Sequence, residues 1–383
     1  AGEACGKSAD VDAEKPNGRG TKADVADAAD TEAVETPPAS AKRSRKPKPE
    51  GPYTKYKDAG EPIPEFEGTR LVPLAPAESA LPGANNATAE LRVAAWNLGG
   101  LRGFLRGRGD DLPELVRRER PDVLGLFEHK LQQDGKDTEE ALSNLRKALP
   151  DYDIAAVNYS TAKKGYSGVV VLVRKDALLR PLDSTVGDLP SAANEGRLVT
   201  VEFEALFIVF AYVPNSGEGL KRLQERIDGW DVQLRERLNA LAARKAVALV
   251  GDLNVAHLDL DIWNGEAPHI AKSAGTTPQE RESFGRLLTS GFVDGFRHFH
   301  RDAQGAFTYW SVRAGNRPKN RGLRLDYVVV SKDMVAELDG RDASLVDAFH
   351  VPSMSTGDHC PFGAVLRLRK ASDAGTGASE ADA

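Results

Sequence analysis

The run Ala246-Val247-Ala248-Leu249-Val250 ends on Gly251 and then delivers Asp252 and Asn254 where the chain breaks into a loop. A continuous apolar run bounded by a glycine predicts a buried β-strand. An acid and an amide two residues apart on extended backbone point to the same side. At a strand end both can converge on one small anion and its activating water. The same pair also suits an Asx-type turn, so its meaning depends on whether other segments repeat the design.

They do. The segments 91–97, 122–128, 168–174, 197–203, 206–213, 325–331 and 362–368 read as strands, with 197–203 and 206–213 close enough to form a hairpin. Helices are predicted at Asp111–Glu119, at 138–149 with Leu142, Leu145 and Leu149 on one face, and at 221–245. In the last, Leu223, Ile227, Trp230, Leu234, Leu238 and Leu241 recur at steps of three or four as one apolar stripe. Thr277-Pro278-Gln279-Glu280 opens a further helix, with Thr as N-cap, Pro in the first turn and Glu three residues on. Eight to ten strands with a few helices, and no internal repeat, predict an α/β sandwich of two sheets with outer helices.

The ends of the chain read differently. Residues 1–40 have almost no large apolar side chains and are expected to be disordered. Lys42-Arg43-Ser44-Arg45-Lys46-Pro47-Lys48 has five basic residues in seven and reads as a nuclear address, a nucleic-acid arm or a solvated linker. A Pro/Ala-rich lead-in follows, so the expected division is a tail at 1–88, a catalytic domain at 89–370 and an acidic tail at 371–383. No apolar stretch suggests a membrane span or a secretory signal, and Cys5 and Cys360 make no disulfide framework. A soluble intracellular protein is expected.

The net charge of −6 divides as zero over residues 1–60, −3 over 371–383 and about −3 between them. That is not the balance of a protein that holds nucleic acid by charge alone. An acidic core can still bind phosphates if its carboxylates hold a divalent cation.

Asn97, Glu128, the Asp252/Asn254 pair and Asp326 all read as polar residues at the C-terminal ends of strands. Gly357-Asp358-His359-Cys360-Pro361 precedes the last strand. Oxygen ligands such as Asn97, Glu128 and Asp358 suit a hard cation, and there is no HExxH motif or Cys/His cluster for zinc. A histidine beside an acid suggests contact with a phosphoryl oxygen or proton transfer near neutral pH. Together these are the parts of metal-assisted phosphodiester hydrolysis.

Seven stretches also resemble, in order, the exonuclease III / human-type apurinic–apyrimidinic (AP) endonucleases. That family lies within the DNase I-like exonuclease–endonuclease–phosphatase superfamily. They are Trp96-Asn97-x-x-Gly100-Leu101-Arg102, Gly165-Tyr166-Ser167-Gly168, Ala211-Tyr212-Val213-Pro214-Asn215, Gly251-Asp252-Leu253-Asn254-Val255-Ala256-His257, Thr277-Pro278-Gln279-Glu280-Arg281, Arg324-Leu325-Asp326-Tyr327 and the Gly357–Pro361 stretch. The resemblance implies a four-layer sandwich of two mixed β-sheets flanked by helices.

It also implies roles. Asp252 orients or deprotonates the attacking water, Asn254 positions it, His359 contacts the scissile phosphate, and Asp326 holds the imidazole. Tyr212 reaches the phosphate or leaving oxygen, and Asn215 the phosphate. Asn97, Glu128 and Asp358 form the metal side, with Asp252, Asn254 and His359 as further candidate ligands, for Mg²⁺ or Mn²⁺. Arg102, Tyr166, Tyr309, Arg313, Leu323 and Leu325 are expected at the DNA, with Tyr309, Leu323 and Leu325 as the pocket for the baseless sugar. His257 and Trp96 are assigned to packing.

The chain departs from the family's animal members at several points. Gly99 stands where they have Asp, His129 follows Glu128 where Thr is usual, Glu218 replaces a DNA-contacting Arg, and Arg313 aligns with a wedging Met. The redox role attributed to cysteines in animal members is not carried over.

The expected activity is base-excision-repair cleavage on the 5′ side of an abasic site in duplex DNA, with trimming of 3′-blocked ends. A monomer acting in the nucleus, with mitochondria as a second compartment and no membrane partner, is expected. Rival readings are another phosphoesterase of the superfamily, a non-specific nuclease or a lipid or inositol phosphatase, and a catalytically silent DNA-binding module.

Overall fold

The computed structural model describes residues 50–66, 88–336 and 342–369. The basic cluster 42–48, residues 1–40, most of the lead-in and the acidic tail lie outside the described residues.

Two six-stranded sheets carry the fold. The first contains β1 (Thr88–Asn97), β2 (Val123–Phe127), β3 (Tyr152–Asn158), β4 (Val169–Arg174), β11 (Ala343–His350) and β12 (Phe362–Arg369), in the order β11-β12-β1-β2-β4-β3. The second contains β5 (Asp183–Gly187), β6 (Leu198–Glu202), β7 (Leu206–Tyr212), β8 (Ala246–Asp252), β9 (Phe292–Asp294) and β10 (Asp326–Ser331), in the order β5-β6-β7-β8-β10-β9. Each is mixed, with one parallel pair: β1 with β2, and β7 with β8.

Period-two alternation builds four layers from these strands. Leu91, Val93 and Ala95 of β1 face Ile208, Phe210 and Val250 of the other sheet in one shared core. The intervening Ala94 and Trp96 face outward, onto Leu101 and Phe104 of α2 (Leu101–Arg108), Leu112 and Leu115 of α3 (Asp111–Glu119) and Leu142 and Leu145 of α4 (Thr138–Ala148). Across the molecule, Val247 and Leu249 lie under Leu234 and Leu238 of α5 (Asp231–Ala242) and Phe284 and Leu287 of α6 (Pro278–Thr289). The α/β sandwich of two mixed sheets flanked by helices is therefore as expected. The Thr277–Glu280 capping box is also present. No helix among the described residues is long and apolar enough to cross a membrane.

The structure differs from the sequence reading in three places. Twelve strands occur among the described residues; β9 has three residues and β5 is mostly exposed, so neither presents an apolar alternation. The expected continuous helix at 221–245 is a π-helical turn, Glu225–Trp230, running into α5. Residues 50–66, read as part of the tail, instead pack on the domain. Tyr53, in the turn before the short helix α1 (Thr54–Ala59), and Ile63 bury their side chains against Phe307, Trp310 and Cys360, burial enough to order the segment. The Tyr53 hydroxyl donates to the Leu260 carbonyl at 2.7 Å and accepts from the Gly305 amide at 3.0 Å. Gly305 has φ +70°, and a Cβ there would come within 2.0 Å of the Pro64 carbonyl oxygen, so the approach requires glycine.

One ion network fixes the loop that leads into β10. Arg324, fully buried, forms two bonds to Asp261 (Nε–Oδ1 2.8 Å, Nη2–Oδ2 3.0 Å) and two to Asp294 (Nη2–Oδ2 2.6 Å, Nη1–Oδ1 3.2 Å), while Arg297 reaches Asp261 at 2.5 Å. Burial alone would raise the Asp261 carboxyl; the Arg324 guanidinium, then Arg297, outweigh it and hold Asp261 well below the usual aspartate range. A depressed carboxyl adds stability that is present above its unfolded pKa and lost as pH falls toward the folded value. We predict that Asp261→Asn costs about 3–5 kcal/mol at neutral pH, because it leaves buried guanidinium charge uncompensated. Below about pH 4, near the unfolded aspartate value, the gap to wild type narrows. Denaturant unfolding at pH 7 and pH 3 checks this, and an equal gap at both contradicts it.

Candidate active site

Strand register brings the polar residues together. In the second sheet Tyr212 pairs with Asp252 across the parallel β7–β8 step, and Asp252 pairs with Asp326 across the antiparallel β8–β10 step. A row of three site residues thus crosses one sheet edge. Asp326 begins its strand, which corrects the expectation that it closes one. An antiparallel neighbour starts where the others end, so the edge is the same. In the first sheet Asn97 pairs with Phe127, immediately before Glu128. His359 enters just before β12, which runs antiparallel to β1.

Gly251 lets this row form. A Cβ at that position would meet the Ala211 carbonyl oxygen at 2.0 Å, so any larger residue forces β7 and β8 apart.

The two rows meet through Asn97. Its Nδ2 donates to Glu128 Oε1 at 3.1 Å and to Asp252 Oδ2 at 2.9 Å, and its Oδ1 accepts from the Gly99 amide at 3.0 Å. The Asn254 amide donates to Asp252 Oδ1 at 3.0 Å. The Asn254 side chain donates to the Val213 carbonyl at 2.9 Å and accepts from Asn215 Nδ2 at 2.9 Å. Glu128 and Asn254 both take left-handed backbone, φ +56° and +49°. Such strain persists only where the surroundings enforce it.

His359 joins from the opposite side. Its Nδ1 lies 2.8 Å from Asp326 Oδ2 and its Nε2 lies 3.7 Å from Asp252 Oδ2. Burial works against a charged imidazole, but the Asp326 and then the Asp252 carboxylate outweigh it and raise His359 to about 10. Asp252 is pushed up to about 7 by burial; His359 lowers it, Asp326 raises it, and hydrogen bonds from Asn97 and Asn254 lower it. The geometry is a buried carboxylate next to a histidinium that a second carboxylate orients. Such a pair can accept a proton from water and donate one N–H to an anion.

Tyr212 is buried and hydrogen-bonds the Glu128 carboxylate. Burial, then Glu128 and Asp252, keep its hydroxyl protonated far above the ordinary tyrosine value. Burial would also raise Glu128, but the Lys130 ammonium 2.8 Å away, with the bonds from Asn97 and Tyr212, holds it below the usual glutamate value.

The sequence-predicted residues sort as follows. Asn97, Glu128, Tyr212, Asn215, Asp252, Asn254, Asp326 and His359 form one continuous set through the bonds above. Asp358 faces Gly99, where a Cβ would stand 3.9 Å from its Oδ1. The tyrosine ring of Tyr309 tilts over the His359 ring at 5.0 Å and clusters with Leu323, the buried Leu325 and Ile262 as an apolar wall. Tyr166 is tethered beside this set: its hydroxyl bonds Glu195, Arg197 and Arg222. The Arg197 guanidinium also lies over both the Tyr166 and Tyr212 rings. Arg102 and Arg313 are not brought into the set. Arg102 pairs with Asp137 on the surface beside α2, and Arg313 is exposed next to Val312.

Three further side chains complete the site beyond those to which the motifs give chemistry. Trp96, assigned to packing, also donates its Nε1 to the His359 carbonyl at 3.1 Å. The Thr308 hydroxyl accepts from the Leu325 and Asp326 amides. Lys130 follows Glu128 by two residues, and a basic side chain so close to a predicted ligand was a readable clue.

Could this site hold a metal? The donors of Asn97, Glu128 and Asp358 are all hard oxygens, and the Lys130 ammonium already sits on Glu128, so the carboxylate is set up to face a cation. Asp252, Asp326 and His359 also lie close enough for one ion, but His359 Nδ1 is committed to Asp326. The group of Asp252, Asp326 and His359 has the spacing to hold a metal ion, and Glu128 offers a further hard oxygen nearby through Asn97.

Comparison with known proteins gives the family. The profile of the Endonuclease/Exonuclease/phosphatase family matches residues 94–359. The chain is 37% identical over 73% of its length to the "DNA-(apurinic or apyrimidinic site) endonuclease" of Dictyostelium discoideum, covering 71% of that protein. It is 36% identical to the "DNA repair nuclease APEX1" of Danio rerio, covering 85% of this chain and 92% of the relative. The solved AP endonuclease LMAP of Leishmania major superposes with a TM-score of 0.61 at 31% identity, over 74% of this chain and 88% of that one.

A raised folded pKa adds stability below the unfolded value, and that contribution is lost as pH rises toward the folded one. The stability contributed by the His359 charge is therefore fully present below about pH 6.5 and is lost as pH rises toward about 10. We predict that Asp326→Asn moves the His359 titration, followed by NMR of its ring protons, down by two or more pH units, since one unit is about 1.4 kcal/mol of interaction. A titration left unmoved would show that Asp326 does not hold the imidazole charge.

Proposed function

The chain belongs to the endonuclease/exonuclease/phosphatase family, and on that footing we propose that it is an AP endonuclease of DNA base-excision repair. It hydrolyses the phosphodiester on the 5′ side of an abasic site in duplex DNA, leaving a 3′-hydroxyl and a 5′-deoxyribose phosphate. The observation that carries this reading is the buried Asp252 carboxylate beside the Asp326-held His359, with the apolar wall of Tyr309, Leu323 and Leu325 next to them.

Each residue has a task that its contacts support. Asp252 takes the proton of the attacking water, whose oxygen bonds to phosphorus as the bond to the 3′-oxygen breaks. Asn254, held between Asn215 and the Val213 carbonyl, orients that water, and Asn215 reaches the phosphate. The His359 Nε2–H donates to a non-bridging phosphate oxygen. Tyr212, kept protonated, donates toward the leaving oxygen. A hard divalent ion, Mg²⁺ or Mn²⁺, bound by Asn97, Glu128 and Asp358 would supply positive charge to the phosphate. Extruding a baseless sugar breaks no base pair, which favours the abasic site over intact duplex.

The wall ends on Leu323, which is only half-buried, and an open-sided pocket of this kind also admits blocked 3′ ends. We therefore include 3′-phosphodiesterase activity in the reading. Action as a monomer in the nucleus, and also in mitochondria, is proposed; the basic cluster 42–48 is the support for a nuclear address.

The test is incision of a duplex carrying one abasic analogue, beside undamaged duplex, a 3′-phosphoglycolate end and small phosphoesters. Wild type should cut the abasic strand with Mg²⁺ and fail with EDTA. Asp252→Asn should lose about 10²–10⁴-fold in rate, the usual contribution of a general base. Equal digestion of undamaged DNA, or release of phosphate from small phosphoesters, moves the protein to a rival branch of the superfamily. An uncleaved phosphoglycolate end removes the 3′-trimming activity.

A further inference from the structure

Beneath the Asp252–Asn254 loop lies a buried cation to which the proposed chemistry assigns no task. Arg226 is 2% exposed and sits in the π-helical turn Glu225–Trp230. Its Nη2 donates to the Leu253 carbonyl at 2.7 Å, and its Nη1 to the Asn254 carbonyl at 2.7 Å and Glu280 Oε1 at 3.1 Å. Glu280, fully buried, also accepts from Ser216 Oγ at 2.6 Å, Thr277 Oγ1 at 2.7 Å and the Gly275 amide at 2.9 Å. The ion pair therefore ties together the loop after β8, the Asn215–Ser216 corner and the start of α6.

The π turn is what aims Arg226 here. The buried positions Arg226, Trp230, Leu234 and Leu238 follow one another at steps of four. A straight α-helix drifts about 40° per such step at 3.6 residues per turn. The wider π turn takes up part of that drift and keeps the arginine in line with the apolar stripe; such turns occur frequently at functional sites.

Two consecutive carbonyls can face one guanidinium because Asn254 holds left-handed backbone, φ +49°. That conformation also directs the Asn254 amide onto Asp252 Oδ1 and its side chain toward Asn215. Apolar packing does not fill the space below: a cavity of about 30 Å³ adjoins Leu253, Val255 and Ser283. The Leu253 amide on the Leu325 carbonyl at 2.8 Å and the Ala256 amide on the Gly275 carbonyl at 2.7 Å also hold the loop, and Arg226 adds the two bonds that fix its consecutive carbonyls from below.

We propose that Arg226 is a positioning residue for hydrolysis: through the Leu253 and Asn254 carbonyls it locks the loop that orients Asn254 and Asp252. This rests on the hydrolytic reading above, but its physical half, the locked loop, does not.

The experiment uses the full chain with Arg226→Met/Glu280→Gln, in which Glu280 is not left as an unpaired carboxylate and Asp231, 3.7 Å from Arg226 Nε, keeps its contact with Ser283, and Arg226→Lys. Two quantities are read: kcat and KM for abasic-duplex incision with Mg²⁺, and hydrogen exchange of the Asn254 and Ala256 amides. The double variant should still melt cooperatively. Its kcat should fall about 10²-fold, the scale of an ångström of misplacement, with KM within about threefold. Its two amides should exchange at least about tenfold faster, as expected once the opening free energy of the loop falls. Arg226→Lys, with one ammonium for two carbonyls, should recover part of the lost kcat. A folded double variant with kcat within about twofold of wild type overturns a positioning role. Unchanged exchange overturns the locked loop. If wild type does not incise abasic DNA at all, the hydrolytic reading has failed, and the exchange comparison alone decides the proposal.

Discussion

The Asn97 side-chain amide spans the two sheets at their open end, one hydrogen on Glu128 and the other on Asp252. Nothing in the shared apolar core specifies how the sheet edges align in detail, because dispersion and burial are non-directional. A hydrogen bond between strand ends is directional. With Asn97 in place, the carboxylate of one sheet and that of the other face the same space, and each later contact of the site follows from that spacing.

Gathering acids in a dry place is costly unless charge is balanced. The structure answers with cations beside most of these acidic groups. Lys130 lies on Glu128, His359 lies between Asp326 and Asp252, Arg226 meets Glu280 beneath the loop, and Arg324 with Arg297 holds Asp261 and Asp294 behind the apolar wall. The inner pairs differ in kind from the outer ones. Arg324 and Arg226 are fork-shaped donors that stay charged and anchor backbone or carboxylates bidentately. His359 is held protonated well above neutral pH by its two carboxylates, while Asp252, pushed up to about 7, is the group whose proton can move near neutral pH. A static shell of cations thus surrounds one labile carboxyl, which suits a fixed frame around a reacting group.

Much of this was legible in the sequence, for identifiable reasons. An unbroken apolar run that stops at Gly251 states both the strand and the place where its polar cargo emerges. The same logic locates Asn97, Glu128 and His359. Asp326 was assigned to the wrong end of its strand, because strand direction is a property of the assembled sheet. The strap at residues 50–66 is not legible in the sequence, because its two anchors, Tyr53 and Ile63, lie far apart among polar residues and show no period. Arg226 was hidden by an assumption of 3.6 residues per turn, which put Ile227 on the buried stripe; the four-residue spacing back from Trp230 was there to be read. Arg324 lies inside a recognised motif, yet its partners Asp261 and Asp294 are loop and strand-end residues remote in sequence, so burial of that ion network appears only in three dimensions.

The central claim is that this site drives water onto phosphorus with the 3′-oxygen as leaving group. Incision of an abasic duplex in ¹⁸O-labelled water, with mass analysis of both fragments, tests it most directly. The account predicts one heavy oxygen on the phosphorus of the 5′-deoxyribose phosphate, counted after borohydride reduction and correction for exchange of the sugar aldehyde, and none in the upstream 3′-hydroxyl fragment. An unlabelled 5′ phosphate with an unsaturated aldehyde on the 3′ side would mean that the strand is cut by elimination, and the roles given to Asp252, Asn254 and His359 would be wrong.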